Sequence, residues 1–196
     1  DYEDGADLLL NENVEATILS GIGRSYGLEF YLKKKYGRLN GWISYTLSHT
    51  ENKFDEINNG EWYAAKYDKT HDLSVVLNYD ITERLSLSAS WIYYTGNAVT
   101  FPSGKYIYDG QIRSYYTERN GYRMPDYHRL DLNLHLAGKK TKKMESSWDF
   151  SIYNAYNRYN AYSITFQESD SNPGTTEAVQ LSLFGIVPSI SWNFKF

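Results

Sequence analysis

Ile190-Ser191-Trp192-Asn193-Phe194-Lys195-Phe196 is the stretch that decides the fold. Ile190, Trp192, Phe194 and Phe196 share one parity and Ser191, Asn193 and Lys195 the other, so an extended chain has one wholly apolar and one wholly polar face. A strand of a soluble sandwich can alternate in the same way. Here the apolar face is aromatic up to Phe196, where a soluble end strand would be frayed and wet. Lipid on one side and water on the other accounts for it better, because a transmembrane barrel strand needs an apolar outside, a polar inside and rings at the interface. The expected fold class is all-β, built of antiparallel transmembrane β-barrel strands.

The composition fits that class. The 196 residues include 20 Tyr, 8 Phe and 5 Trp, yet only 41% of the chain is hydrophobic, as alternation requires. A membrane helix needs about 18 or more consecutive apolar residues. The nearest approach, 181–188, is far shorter and contains Ser182. Without cysteine there is neither a disulfide framework nor a thiolate metal site. A net charge of −4, with basic and acidic residues interspersed, leaves no footprint for nucleic acid. Asp1-Tyr2-Glu3-Asp4 is not a signal peptide, so a mature chain or the downstream part of a longer one is expected.

Working back from the terminus, alternating segments recur at about the ten residues that a tilted strand needs to cross a bilayer. Leu130, Leu132, Leu134 and Leu136 oppose Asp131, Asn133 and His135, and Trp148, Phe150 and Ile152 oppose Asp149 and Ser151. Leu85, Leu87, Ala89, Trp91 and Tyr93 oppose three serines, while Leu73, Val75, Leu77 and Tyr79 oppose Asp72, Ser74 and Asn78. Ile43, Tyr45 and Leu47, then Tyr26, Leu28, Phe30 and Leu32, complete the set. The last strand is expected from about Ala178, with Pro188 as a bulge or kink. Residues 1–23 read as a loop or weak strand, since Glu12 interrupts the parity of Leu8, Leu10, Val14, Ala16 and Ile18. Seven strands therefore occupy 24–196, and an eighth is counted if residues 1–23 supply one. Short polar connections at 37–40, 82–84 and 138–146 alternate with long ones at 51–69, 99–126 and 167–177. In outer-membrane barrels the short turns are periplasmic and the long loops external.

An eight-stranded barrel is just filled by its own side chains. The inward positions here are often small, among them Ser44, Ser74, Ser86, Ser88, Ser90 and Ser151, and they suit a wider or plugged lumen. The expectation is a portion of a large barrel; the alternatives are a self-contained small outer-membrane barrel with a structural, adhesive or assembly role, and a small barrel enzyme.

Several motifs taken in order sharpen this reading. They are Arg24-Ser25-Tyr26-Gly27-Leu28-Glu29-Phe30, Gly37-Arg38-Leu39-Asn40-Gly41-Trp42, Tyr67-Asp68-Lys69-Thr70-His71-Asp72, Thr95-Gly96-Asn97-Ala98, Tyr122-Arg123-Met124-Pro125-Asp126-Tyr127, Tyr153-Asn154-Ala155-Tyr156-Asn157-Arg158 and Val187-Pro188-Ser189-Ile190. As a set they resemble the late barrel strands of TonB-dependent outer-membrane receptors of the Bacteroidetes type, over about residues 20–196. The resemblance implies the C-terminal part of a 22-stranded barrel, occluded by an N-terminal plug, in the outer membrane of a Gram-negative cell. It implies import of a scarce ligand, such as a siderophore, cobalamin, glycan or peptide, driven through the TonB complex. Implied partners are outer-membrane lipid, the rest of the barrel and its plug, the TonB complex through an N-terminal part, the barrel-assembly machinery and a surface lipoprotein. No cofactor and no enzymatic activity are implied. A plug, a TonB-contacting segment and the earlier barrel strands do not fit within 196 residues.

The candidate ligand-binding residues lie in the long connections: Trp62 and Tyr63 in the first, and Tyr106, Tyr108, Arg113, Tyr115, Tyr116 and Arg119 in the second. Aromatic faces stack on sugars or chelate rings, and arginine forks pair with carboxylates. The same residues also suit loop packing or an external aromatic girdle, which asks for no ligand. Trp192, Phe194 and Phe196 resemble the C-terminal signal read by the barrel-assembly machinery, and are otherwise interface anchors. Among the histidines, His71 stands beside Asp68 and Asp72, and His135 is expected to meet Asp149 across a turn centred near Thr141. With no nucleophile or ligand-spaced cluster beside them, lumen-wall hydrogen bonding is the expected role, and no catalytic or metal-ligating residue is assigned.

Overall fold

The computed structural model describes residues 18–109, 111–138, 144–169, 171–172 and 174–195. Fourteen strands follow in order: β1 (Ile22–Lys34), β2 (Leu39–Lys53), β3 (Tyr63–Ala64), β4 (His71–Asp80), β5 (Leu85–Tyr94), β6 (Ala98–Val99), β7 (Gly104–Tyr108), β8 (Gln111–Tyr115), β9 (Tyr122–Arg123), β10 (Tyr127–Ala137), β11 (Glu145–Tyr153), β12 (Ser163–Glu168), β13 (Thr176–Leu181) and β14 (Val187–Lys195). The fold is all-β and antiparallel, and its one helical element among the described residues is a 3₁₀ turn at Asn58–Gly60. The main sheet runs β1-β2-β4-β5-β10-β11-β14, with β3 paired to the Glu51–Asn52 end of β2. Among the described residues β1 and β14 do not pair, so the sheet is open rather than a closed barrel.

Register carries the alternation across the sheet. Leu134 pairs with Leu87 on one side and Phe150 on the other, and Leu132 with Ala89 and Ile152. The intervening parity forms a polar row from Asn40 through Asn78, Ser88, Asn133 and Ser151 to Ser189. Members of the row bond to one another: Ser88 Oγ donates to Asn78 Oδ1 at 2.7 Å, and Ser151 Oγ to Asn133 Oδ1 at 2.7 Å. Gly41 belongs to β2 because a side chain there would collide with the carbonyl oxygen of Val76, and its φ of +151° disfavours other residues.

Packing divides the described residues into two compact units, a sheet unit (within 28–47, 71–95 and 125–195) and a loop unit (within 18–27, 48–70 and 96–124). The buried hydrophobic residues, Ile57, Tyr63 and Ala98, all belong to the loop unit. The apolar parity of the sheet unit holds no buried residue among those described: it is half-buried at Leu130, Leu132 and Leu134 in the middle of the sheet and exposed on the end strands, with Leu28 at 62% and Ile190 at 66%.

Three expectations about the connections and the last strand change. The last strand starts at Val187, not Ala178; residues 176–181 form β13, paired with β12. Pro188 makes no bulge, because β14 pairs with β11 residue by residue from Val187 to Lys195, with Pro188 opposite Ile152. β14 is an end strand of the sheet, where a missing N–H is tolerated. The connections expected as long loops are partly paired: β2 runs on to Lys53, and 99–126 contains the β7–β8 hairpin and the β9 half of a clasp with β6. Most of residues 1–23, through residue 17, and Phe196 lie outside the described residues.

Candidate functional site

The loop unit is organised by one buried charge. Asp68 is 1% exposed, and its carboxylate receives the Thr50 N–H at 2.6 Å and an Nη2–H of Arg123. Arg123 also donates from Nη1 to the carbonyls of Asp68 and Gly96, at 3.0 and 3.1 Å. A carboxylate out of water demands such partners. Residues distant in sequence are thereby tied at one point: the end of β2, the approach to β4, the segment after β5, and β9.

A second cluster adjoins it. Arg24 donates from Nε to Glu51 at 2.8 Å and pairs through Nη2 at 2.7 Å, while its guanidinium lies 4.1 Å above the Trp62 ring. His49 bridges the two clusters, with Nε2 2.8 Å from Glu51 and Nδ1 3.9 Å from Asp68. Arg24 foremost, then His49, holds the Glu51 carboxyl below its ordinary value. Tyr26 meets the His49 ring edge-on at 5.7 Å.

A hairpin and a cleft complete the unit. In β7–β8, Tyr106 pairs with Arg113 and Gly104 with Tyr115, so Tyr106, Tyr108, Arg113 and Tyr115 share one face. Tyr106, Tyr108, Tyr115 and Tyr116 are all more than half exposed. Beside them is a cleft of about 710 Å³, lined by residues 114–119 and, among others, by Glu56, Asn58 and Asn59. Asn58 fastens these two segments: its Nδ2–H donates to the Arg119 carbonyl at 2.9 Å, and its Oδ1 accepts the Arg119 N–H at 2.7 Å. Asn58 and Asn59 have φ of +50° and +55°, a left-handed conformation that asparagine tolerates better than most residues.

The candidate residues therefore fall into separate settings. Tyr106, Tyr115, Tyr116 and Arg119 line the cleft, and Tyr108 and Arg113 share the hairpin face with the first two. Trp62 is the platform under Arg24, and Tyr63 is buried with its ring 6.4 Å from Phe54. Trp192 and Phe194 pack together at 4.7 Å, and Trp192 stacks on Trp148 at 5.9 Å. Asp68, Arg24, His49, Glu51 and Asn58 were not assigned from sequence; the pairing of Arg24 and Glu51 across neighbouring strands β1 and β2 was the accessible signal.

In the sheet unit His135 does meet Asp149, Nδ1 to Oδ1 at 2.8 Å, and Asn193 Nδ2 donates to Asp149 Oδ2 at 2.8 Å. Ser86 is the register partner of His135 on its other side, but among the described residues no hydrogen bond joins them. His71 stacks on Tyr45 and shares a 2.8 Å hydrogen bond with its hydroxyl. At the far end of the polar face Arg129 lies 4.1 Å over Tyr153, pairs with Asp131 at 2.8 Å and donates to the Tyr127 and Tyr153 hydroxyls. Among the described residues no group of three or more His, Cys, Asp or Glu side chains is arranged to hold a metal ion.

Comparison with protein-family models, curated proteins and solved structures finds no match to the chain.

Proposed function

We propose that the chain is a portion of the wall of an outer-membrane β-barrel of the TonB-dependent receptor type, and that its long loops take part in capturing a ligand for import. The observation carrying the membrane reading is the inversion of the sheet unit: its polar face is cross-linked by hydrogen bonds, while its apolar face is half-buried to exposed and covers no hydrophobic core among the described residues. A sheet in water must bury its apolar face against a second layer. Lipid removes that need, and exposed apolar expanses of this kind mark interaction with a membrane or another protein.

The open sheet favours a segment of a larger wall over a self-closed small barrel. The receptor reading rests on the ordered motifs from Arg24 to Ile190, which resemble late receptor strands. Transport would need a plug and a TonB-contacting segment supplied outside these residues. On this reading the loop unit faces the exterior, and the Asp68–Arg123 anchor gives the ligand-bearing loops a fixed base.

Single-tryptophan variants of the full-length protein in vesicles of brominated lipid test the membrane reading. Trp148 and Trp192 share the apolar parity, whereas Trp42, opposite Val76 and in line with Ser90, is on the other. The expected result is strong quenching of the first two and little of Trp42. Equal quenching of all three, or none, would refute it.

A further inference from the structure

We infer that the cleft beside the β7–β8 hairpin takes a short extended peptide carrying a basic side chain. Six consecutive residues, 114–119, contribute to its wall, and among the described residues 116–118 belong to no strand ladder. A segment outside a ladder can pair with a further strand, the recognition mode in which main-chain hydrogen bonds give affinity and alternate side chains give specificity. A rigid sugar or chelate cannot use such a wall repeatedly; an extended peptide can.

The side chains narrow the choice. Tyr106, Tyr115 and Tyr116 offer ring faces to the aliphatic parts of a ligand. The charged residues lining the cleft are Glu56, Glu118 and Arg119, an acidic balance that favours a lysine or arginine in the ligand. At about 710 Å³ the cleft falls within the range of roughly 300–1,000 Å³ usual for ligand pockets. The two Asn58 hydrogen bonds hold the Arg119 backbone, the last of these consecutive residues, to Asn58 before any ligand arrives, which lowers the ordering cost of binding. The peptide's role as the imported cargo rests on the receptor reading above; its binding to the cleft does not.

The test is calorimetric titration of the full-length protein with a capped pentapeptide, one lysine between alanine pairs. Two further probes are its backbone N-methylated form and its norleucine analogue. Saturable binding is expected, weakened at least tenfold by backbone methylation. The double variant Glu56→Gln, Glu118→Gln should lose several-fold for the lysine peptide and little for the norleucine one; both positions are exposed, so folding should be unaffected. Absence of saturable binding, equal affinity for the methylated probe, or preference for a neutral linear oligosaccharide over all three would overturn the assignment. Peptide binding by a protein whose Trp148 and Trp192 escape lipid quenching would keep the cleft assignment and sink the transport reading, and quenching without peptide binding does the reverse.

Discussion

Replacing Asp68 with asparagine should loosen the loop unit while leaving the sheet unit intact. The amide oxygen can still accept the Thr50 N–H, now bound at 2.6 Å, but the charge facing Arg123 is gone and an amide NH₂ can turn toward the guanidinium. Removing one partner of a fully buried pair costs about 3–5 kcal/mol. Arg123, with 32% of its side chain exposed, keeps some water and retains its bonds to the Asp68 and Gly96 carbonyls. The larger part of the loss is then one charge-assisted hydrogen bond, and the expected cost is about 2–3 kcal/mol. At about 1.4 kcal/mol per tenfold change, that is roughly 30- to 150-fold faster local opening. Amide hydrogen exchange reads this at Ala65, which donates to the Thr50 carbonyl at 2.9 Å, and at Met124, which donates to the Asn97 carbonyl at 2.9 Å. The Leu134 amide, central in β10, serves as the reference. An effect below about twofold at Ala65 and Met124, or an equal acceleration at Leu134, would refute the view that Asp68 anchors a separate unit.

Arginine at Leu134, in register with Leu87 and Phe150, should cost about 2–4 kcal/mol in vesicle folding if that parity faces hydrocarbon, and arginine at Asn133 far less; equal penalties would reject the inside-outside assignment. Glu51 supplies a pH dependence. Its folded carboxyl titrates below the ordinary value of 4.5, held down first by Arg24 and then by His49, so the Arg24–Glu51 pairing is fully in place above that value and is lost as pH falls through the lowered one. Fluorescence of Trp62, which Arg24 covers, should therefore change only in acid below 4.5, and a midpoint above it, or one unaltered in Glu51→Gln, would show that another group is responsible.

The sheet was legible because a period of two survives any burial pattern: Leu130 to Leu136 and Trp148 to Ile152 needed only parity, and the chain length between them put His135 opposite Asp149. The boundary of β14 was not legible. Val179, Leu181, Leu183 and Ile186 extend an apolar run toward Val187, and only the partner distinguishes β13, which pairs with β12, from β14, which pairs with β11. Asp68 was hidden for a related reason. A charged residue between Tyr67 and Lys69 reads as solvated, and its burial depends on Arg123, distant in sequence and brought close by pairings that no local window contains. The hairpin tyrosines were visible as an aromatic cluster, but the cleft was not, because part of its lining comes from Glu56, Asn58 and Asn59, far away in sequence.

The polar row has a consequence for how β4 and β5 find their alignment. Ser86, Ser88 and Ser90 present the same hydroxyl at successive positions, so Asn78 would find an equivalent partner if β5 slid by two residues in either direction. That face is a rail without stops. The stops are supplied elsewhere: by Ala89, the one small residue on the opposite face of β5, which faces Leu77 and Leu132, and by the tight turn in which the amides of Ile81 and Thr82 both reach the Leu85 carbonyl, at 2.9 and 3.0 Å. Alignment is thus encoded in one gap in bulk and one short turn, and a misaligned hairpin would still give Asn78 a serine hydroxyl while failing in shape.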